Sequence, residues 1–145
     1  MKKLIFIFFI NIFITNYSSA LIEVDITRGN LDPLPIAVSP LHVDIKSDKY
    51  KDLNVKELGE KISEIIEKNF KNTGLFNPIK KDAFVQKPDI AHLKPRFEDW
   101  RLIKAQALVT GKLLIKNGKL KVEFRLWDLA AAQEMTALAF TTTPS

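Results

Sequence analysis

Cysteine is missing altogether from the 145 residues. No disulfide can form, no thiol can act as nucleophile or metal ligand, and no residue is available to carry a lipoprotein's lipid anchor. Histidine occurs only twice, as His42 and His92. His42 with Asp44 and Asp48 resembles a metal site in composition, but a site needs three or four converging ligands, and His92 stands far off in the chain beside prolines. A solvated loop is therefore the reading for His42 to Asp52, and metal ligands and cofactors are expected to number none. The chain also has no Gly-rich phosphate loop and no nucleophile elbow, so a small secreted hydrolase would have to rest on carboxylates alone. A membrane span is excluded in the same way: the apolar run Leu4 to Ile14, interrupted by Asn11, is well short of the ~20 residues a crossing helix requires.

What that first stretch does carry is the pattern of an export signal. Lys2 and Lys3 precede the apolar run, and Ser18-Ser19-Ala20 places small residues before the next segment, so a secretory signal peptide over 1–20 is expected, cleaved after Ala20 and leaving no stable membrane insertion. The exported chain would be periplasmic or secreted. Its charge is mild: without Lys2 and Lys3 there are 20 basic against 17 acidic groups. The lysines are scattered among acids, not gathered in a basic stripe interleaved with aromatics, which speaks against nucleic acid as a partner. With 46% hydrophobic and 27% charged residues, the remainder suits one small globular domain.

The strongest local signal is a hairpin from Val109 to Asp128. Asn117-Gly118 are the residue types that accept the positive φ angles of a two-residue type I′ turn, and that turn sets the register. Ile115 then faces Leu120, Leu113 faces Val122, Gly111 faces Phe124 and Val109 faces Leu126, one apolar face throughout. The opposite face pairs Leu114 with Lys121, Lys112 with Glu123, Thr110 with Arg125 and Leu108 with Trp127, a wetter surface. A slip of one residue would turn the apolar set to water, so turn and pattern support each other. Burying the apolar face contributes on the order of 10 kcal/mol gross, and a hairpin cannot bury it alone.

Asn54 to Thr73 supplies the cover. Asn54 is an N-cap residue, Glu57 stands at the capping-box position and Gly74 follows the last turn. Val55, Leu58, Ile62, Ile65, Ile66 and Phe70 recur at spacings of three and four, an amphipathic stripe. A second, shorter helix is expected over Phe97 to Ile103. Ile36-Ala37-Val38, bounded by Pro33, Pro35 and Pro40, reads as a short edge or entry strand. After Asp128 local propensity favours helix for Leu129 to Met135, whereas the alternation of Leu138, Phe140 and Thr142 and the shortness of a meander favour a third antiparallel strand over Gln133 to Thr142; the strand is the expectation. At the other end, Ile22, Val24 and Ile26 alternate with Glu23, Asp25 and Thr27. That pattern suits a half-buried strand of the domain's own sheet or a free arm that adds a strand to another protein's sheet.

Five stretches, in order, resemble the amino-terminal domain of the TolB family. They are Leu21 to Gly29; Pro35-Ile36-Ala37-Val38 with Pro40-Leu41; Asn72-Thr73-Gly74-Leu75-Phe76-Asn77-Pro78; Phe97-Glu98-Asp99-Trp100-Arg101 running on to Val109-Thr110-Gly111; and Phe124-Arg125-Leu126-Trp127-Asp128 followed by Phe140-Thr141-Thr142-Thr143-Pro144. The resemblance implies an α/β fold of α+β type, a small mixed sheet with helices packed on one face and a closing antiparallel hairpin or meander, over 31–145. It implies a non-enzymatic periplasmic component of the Tol-Pal system, which links inner-membrane TolA to outer-membrane Pal and supports envelope integrity and cell division. By position and alternation, Leu21, Ile22, Glu23, Val24, Asp25, Ile26 and Thr27 match the family's TolA-binding arm, which favours the arm over the in-domain strand. Pal is bound in this family through a carboxy-terminal β-propeller, and the repeats of roughly 40 residues that build one are not found here. The sequence is thus expected to represent an incomplete amino-terminal domain in which part of the sheet lies exposed. An unrelated periplasmic adaptor domain is the alternative reading.

Overall fold

A computed structural model describes residues 32–44, 46–47 and 54–143. Six strands form one mixed sheet: β1 (Leu34–Val38), β2 (His42–Val43), β3 (Phe76–Pro78), β4 (Ala107–Lys116), β5 (Lys119–Asp128) and β6 (Gln133–Thr142). The order across the sheet is β3-β1-β4-β5-β6, with β2 also pairing β4. The β1 pairings to β3 and β4 and the β2 pairing to β4 are parallel, and β4-β5-β6 is an antiparallel meander. The helices are α1 (Val55–Asn72), α2 (Pro88–Ala91) and α3 (Phe97–Leu102). This is the expected α+β architecture.

The hairpin register agrees pair by pair, from Lys116 opposite Lys119 to Ala107 opposite Asp128. Asn117 and Gly118 take φ of 51° and 71°, the left-handed values a type I′ turn demands. Gly111 has a second reason to lack a side chain: a Cβ there would run into the Glu123 carbonyl, and would come within 2.7 Å of Leu41 Cδ2. The apolar face meets α1 along its whole length. Val55, Leu58 and Ile62 pack on Leu41, Leu113, Ile115, Leu120 and Val122, while Ile66 and Phe70 pack on Ile36, Val38, Ala107 and Val109. Asn54 caps the helix, its side-chain oxygen accepting from the Glu57 backbone N–H at 3.2 Å.

The opposite face carries a second apolar layer that the hairpin alone does not suggest. Ala37, Leu108 and Trp127 point there and are covered by Ala91, Phe97, Trp100 and Leu129, with Phe84 packed alongside. Thr110 is buried too, accepting a 2.8 Å hydrogen bond from Trp127 Nε1. Only the outer end of that face, with Lys112, Lys121 and Glu123, stays wet.

Two local expectations are resolved by tertiary context. The proline-bounded β1 is an interior strand, not an edge: Ile36 and Ala37 are 0% exposed and Val38 1%. The Pro35 carbonyl accepts from the Gln106 N–H at 2.9 Å, one residue before β4 begins, so the missing donor falls at the start of the β1–β4 ladder and not in its middle. The helix-forming run after Asp128 becomes a turn and a strand. Leu129 is held in the core, and Arg101 reaches over to donate from Nε to the Leu129 carbonyl at 2.7 Å. Asp128 accepts from the Ala131 N–H at 2.9 Å, and Ala132 takes φ of 54°. The chain is thereby turned into β6 at Gln133, as the meander expectation has it.

Candidate functional site

The seven residues Leu21 to Thr27, like the export signal, lie outside the described residues. The structure does show which surfaces the described domain presents. Asp32 and Pro33 are exposed and lead straight into β1, whose Leu34 N–H donates to the Leu75 carbonyl beside β3 at 2.9 Å. The described chain thus enters the sheet at the end where parallel β1 and β3 start.

The sheet's two outer strands differ sharply. β3 has three residues and ends in Pro78. β6 has ten, all exposed, with Leu138 at 55% and Phe140 at 57% exposure. Between β6 and α1 runs an open apolar groove of about 320 Å³, lined by Ile66, Phe70, Val109, Phe124, Leu126 and Leu138. Phe124 forms its floor and meets Phe140 edge to face at 6.3 Å. Arg125, on the other side of the strand, is paired with Glu134 at 2.6 Å. Sequence reasoning placed these apolar residues on one face but not in one groove, since they come from α1, β4, β5 and β6, and no local pattern records their meeting.

The candidate metal ligands part company. Asp48 is outside the described residues. Asp44 accepts from the Lys46 N–H at 2.9 Å, which holds its carboxyl below the usual range, and lies 3.8 Å from Lys112. His42 stacks on His92, with ring centroids 4.1 Å apart and planes within 4°, so the two histidines that are distant in sequence are neighbours in space. Parallel rings aim their lone pairs alongside each other, not at one point, which is unsuited to a shared metal. Among the described residues no group of three or more His, Asp or Glu side chains is placed to hold a metal ion. One carboxyl is pushed up: Glu67 on α1, through burial, with Lys81 at 3.7 Å as its counter-charge. Glu64, one turn earlier on α1 and exposed, adds to that shift and shares Lys81 at 3.9 Å.

Comparison with known proteins agrees with the geometry. Residues 22–135 match the TolB amino-terminal domain family. The Tol-Pal system protein TolB of Pelagibacter ubique (strain HTCC1062) is 60% identical over 142 residues, which is 97% of this chain but 32% of that protein. The chain thus spans about a third of the length of that relative. Among solved structures, TolB from Acinetobacter baumannii superposes with a TM-score of 0.56 at 17% identity, covering 77% of this chain and 24% of that one. The LpoB carboxy-terminal domain from Salmonella enterica also gives 0.56, at 9% identity over 80% of this chain and 87% of that one. At such identities the two superpositions show a shared fold.

Proposed function

The chain belongs to the TolB amino-terminal domain family, and from that membership we propose that it is a non-catalytic, periplasmic protein-interaction domain of the Tol-Pal system, engaging TolA through Leu21 to Thr27. The observation that carries this reading is that the family match opens at Ile22, inside the alternating segment, so the segment is part of the family's domain and not an unrelated leader. An extended segment with Ile22, Val24 and Ile26 on one side and Glu23 and Asp25 on the other fits addition to a partner's sheet edge, where backbone hydrogen bonds supply affinity and alternate side chains supply selectivity. The rest of the domain acts as a rigid holder that presents the segment from the start of β1. Through TolA the domain would serve envelope integrity and cell division. Pal binding is not assigned to residues 1–145, because in the proposed scheme it falls to the propeller of longer relatives.

The test is deletion of Leu21 to Thr27. Binding to the carboxy-terminal domain of TolA, followed by calorimetry, should be lost while the melting temperature stays within about 2 °C, well short of the ~4–8 °C per kcal/mol that loss of an integral strand would bring in a domain this size. Val24→Pro, which removes a ladder donor, should weaken binding without unfolding. Equal TolA binding by the deleted and intact chains would place the site elsewhere, and collapse of the fold on deletion would make the segment a strand of this domain.

A further inference from the structure

His42 and His92 form the one contact between β2 and the end of α2 that is made by two titratable rings. β2 pairs His42 with Lys112 of β4, and α2 delivers His92 across the loop that follows it. His92 Nδ1 lies 3.2 Å from the Pro88 carbonyl oxygen. A carbonyl can only accept, so Nδ1 carries the hydrogen and Nε2 is where a second proton would bind. Both rings are half-buried, and their parallel stack at 4.1 Å is favourable for neutral imidazoles and repulsive for two imidazolium ions.

The charged groups around the pair come from every element packed on it. Asp44 closes β2, Asp89 lies on α2, and Lys112 on β4 stands between Asp44 and Glu123 at 3.8 and 3.7 Å. Glu123 and Arg125 of β5 line the cleft beside His92, and Lys56 and Glu60 of α1 with Lys87 line the 510 Å³ cavity beside His42. Two of the acids are already engaged, Asp44 by Lys46 and Lys112, Glu123 by Lys121 at 2.8 Å and by Lys112. Asp44 and Asp89 favour a charged His42, but they are outweighed by burial and by His92, so the repulsion between two positive rings is offset only in part.

We propose that the stacked His42–His92 pair is an acid-opened latch, which holds α2 and the turn after it against β2 while the rings are neutral and frees that segment when both are charged. The opposite side of the sheet, under α1, has no histidine and should not respond. Burial first, and His92 second, push His42 below its ordinary value of 6.5. A histidine depressed in the folded state binds fewer protons there than when released. The latch is thus closed above about pH 6.5 and loses its hold as pH falls from there through the folded value. Release would open the wall that Pro88 and Asp89 contribute to the 510 Å³ cavity.

The experiment is amide hydrogen exchange on the full chain at about pH 7.5 and about pH 5.5, corrected for intrinsic rates, together with an NMR titration of the two imidazoles. Amides of 89–93 should exchange roughly severalfold faster at the lower pH, because the depressed His42 favours the released, protonated state there, while those of β4 and β5 keep their protection. His92→Gln should raise the His42 midpoint towards its ordinary value and weaken the acid response. If that variant fails to fold, His42→Gln makes the same test from the other ring. Titration of His42 at its ordinary value, unchanged protection of 89–93, or an acid response undiminished in both variants would overturn the latch.

Discussion

β4 and β6 are both ten-residue strands, and both pair antiparallel with β5. Most of β4 is buried, whereas every residue of β6 is exposed. The difference lies in cover, not in the strands. α1 lies over β1, β4 and β5, and the α2–α3 segment backs part of the other face. β6 extends past both layers, so its Leu138 lines an open groove and its Phe140 is left exposed. Alternation therefore reports the pleat of a strand and the side its apolar residues will take; whether that side is dry depends on the element laid across it.

That contrast is open to measurement, most strongly at its boundary. Phe124 is packed under α1, while its edge-to-face partner Phe140 is exposed. Phe124→Ala should destabilise by roughly 3–5 kcal/mol in urea unfolding, and Phe140→Ala by about 1 kcal/mol or less. Similar losses at the two positions would mean that β6 is covered in solution. Leu113→Ala, at a 0% exposed site, should cost about 2–5 kcal/mol, against less than about 1 kcal/mol for Leu138→Ala; inversion of that order would break the comparison outright.

Smaller changes sharpen it. Asn54→Ala removes the cap of the covering helix and should cost about 1 kcal/mol, with the accompanying loss of amide protection confined to α1 and the strands beneath it. On the uncovered side, Ala132 holds a left-handed φ of 54° in the β5–β6 turn. Ala132→Gly should raise stability by up to about 1 kcal/mol, since glycine carries no penalty in that region. A loss on that substitution would show that the turn is set by unfolded-chain entropy, not by backbone strain.

The hairpin was readable in advance because two independent signals, Asn117-Gly118 and the alternation on either side, demand the same register. The helix Val55–Asn72 was readable for a similar reason: cap, capping-box acid, stripe and terminal glycine all coincide. After Asp128 topology prevails over helix propensity, and the structure supplies the reason, since Arg101 and the buried Leu129 hold the helix-forming run in a turn. The interior place of β1 was not legible. Its prolines argue for an edge, and only the offset between Pro35 and the start of β4 puts the lost donor at the start of the ladder. The His42–His92 stack was equally hidden, because nothing in the sequence connects a loop-like histidine before the helix to one beside prolines after it.

By itself, the sequence determined the meander, its register, the main helix and the family, because each is written in short-range periodicity, turn chemistry or contiguous likeness. Tertiary structure alone decided which alternating strands are dry, that β1 is central, that the second face carries an apolar layer around Trp100 and Trp127, and that two histidines meet. The physical reason is common to all four. Burial and proximity are properties of pairs of elements, and they depend on where one layer ends above another, a length that no single segment encodes.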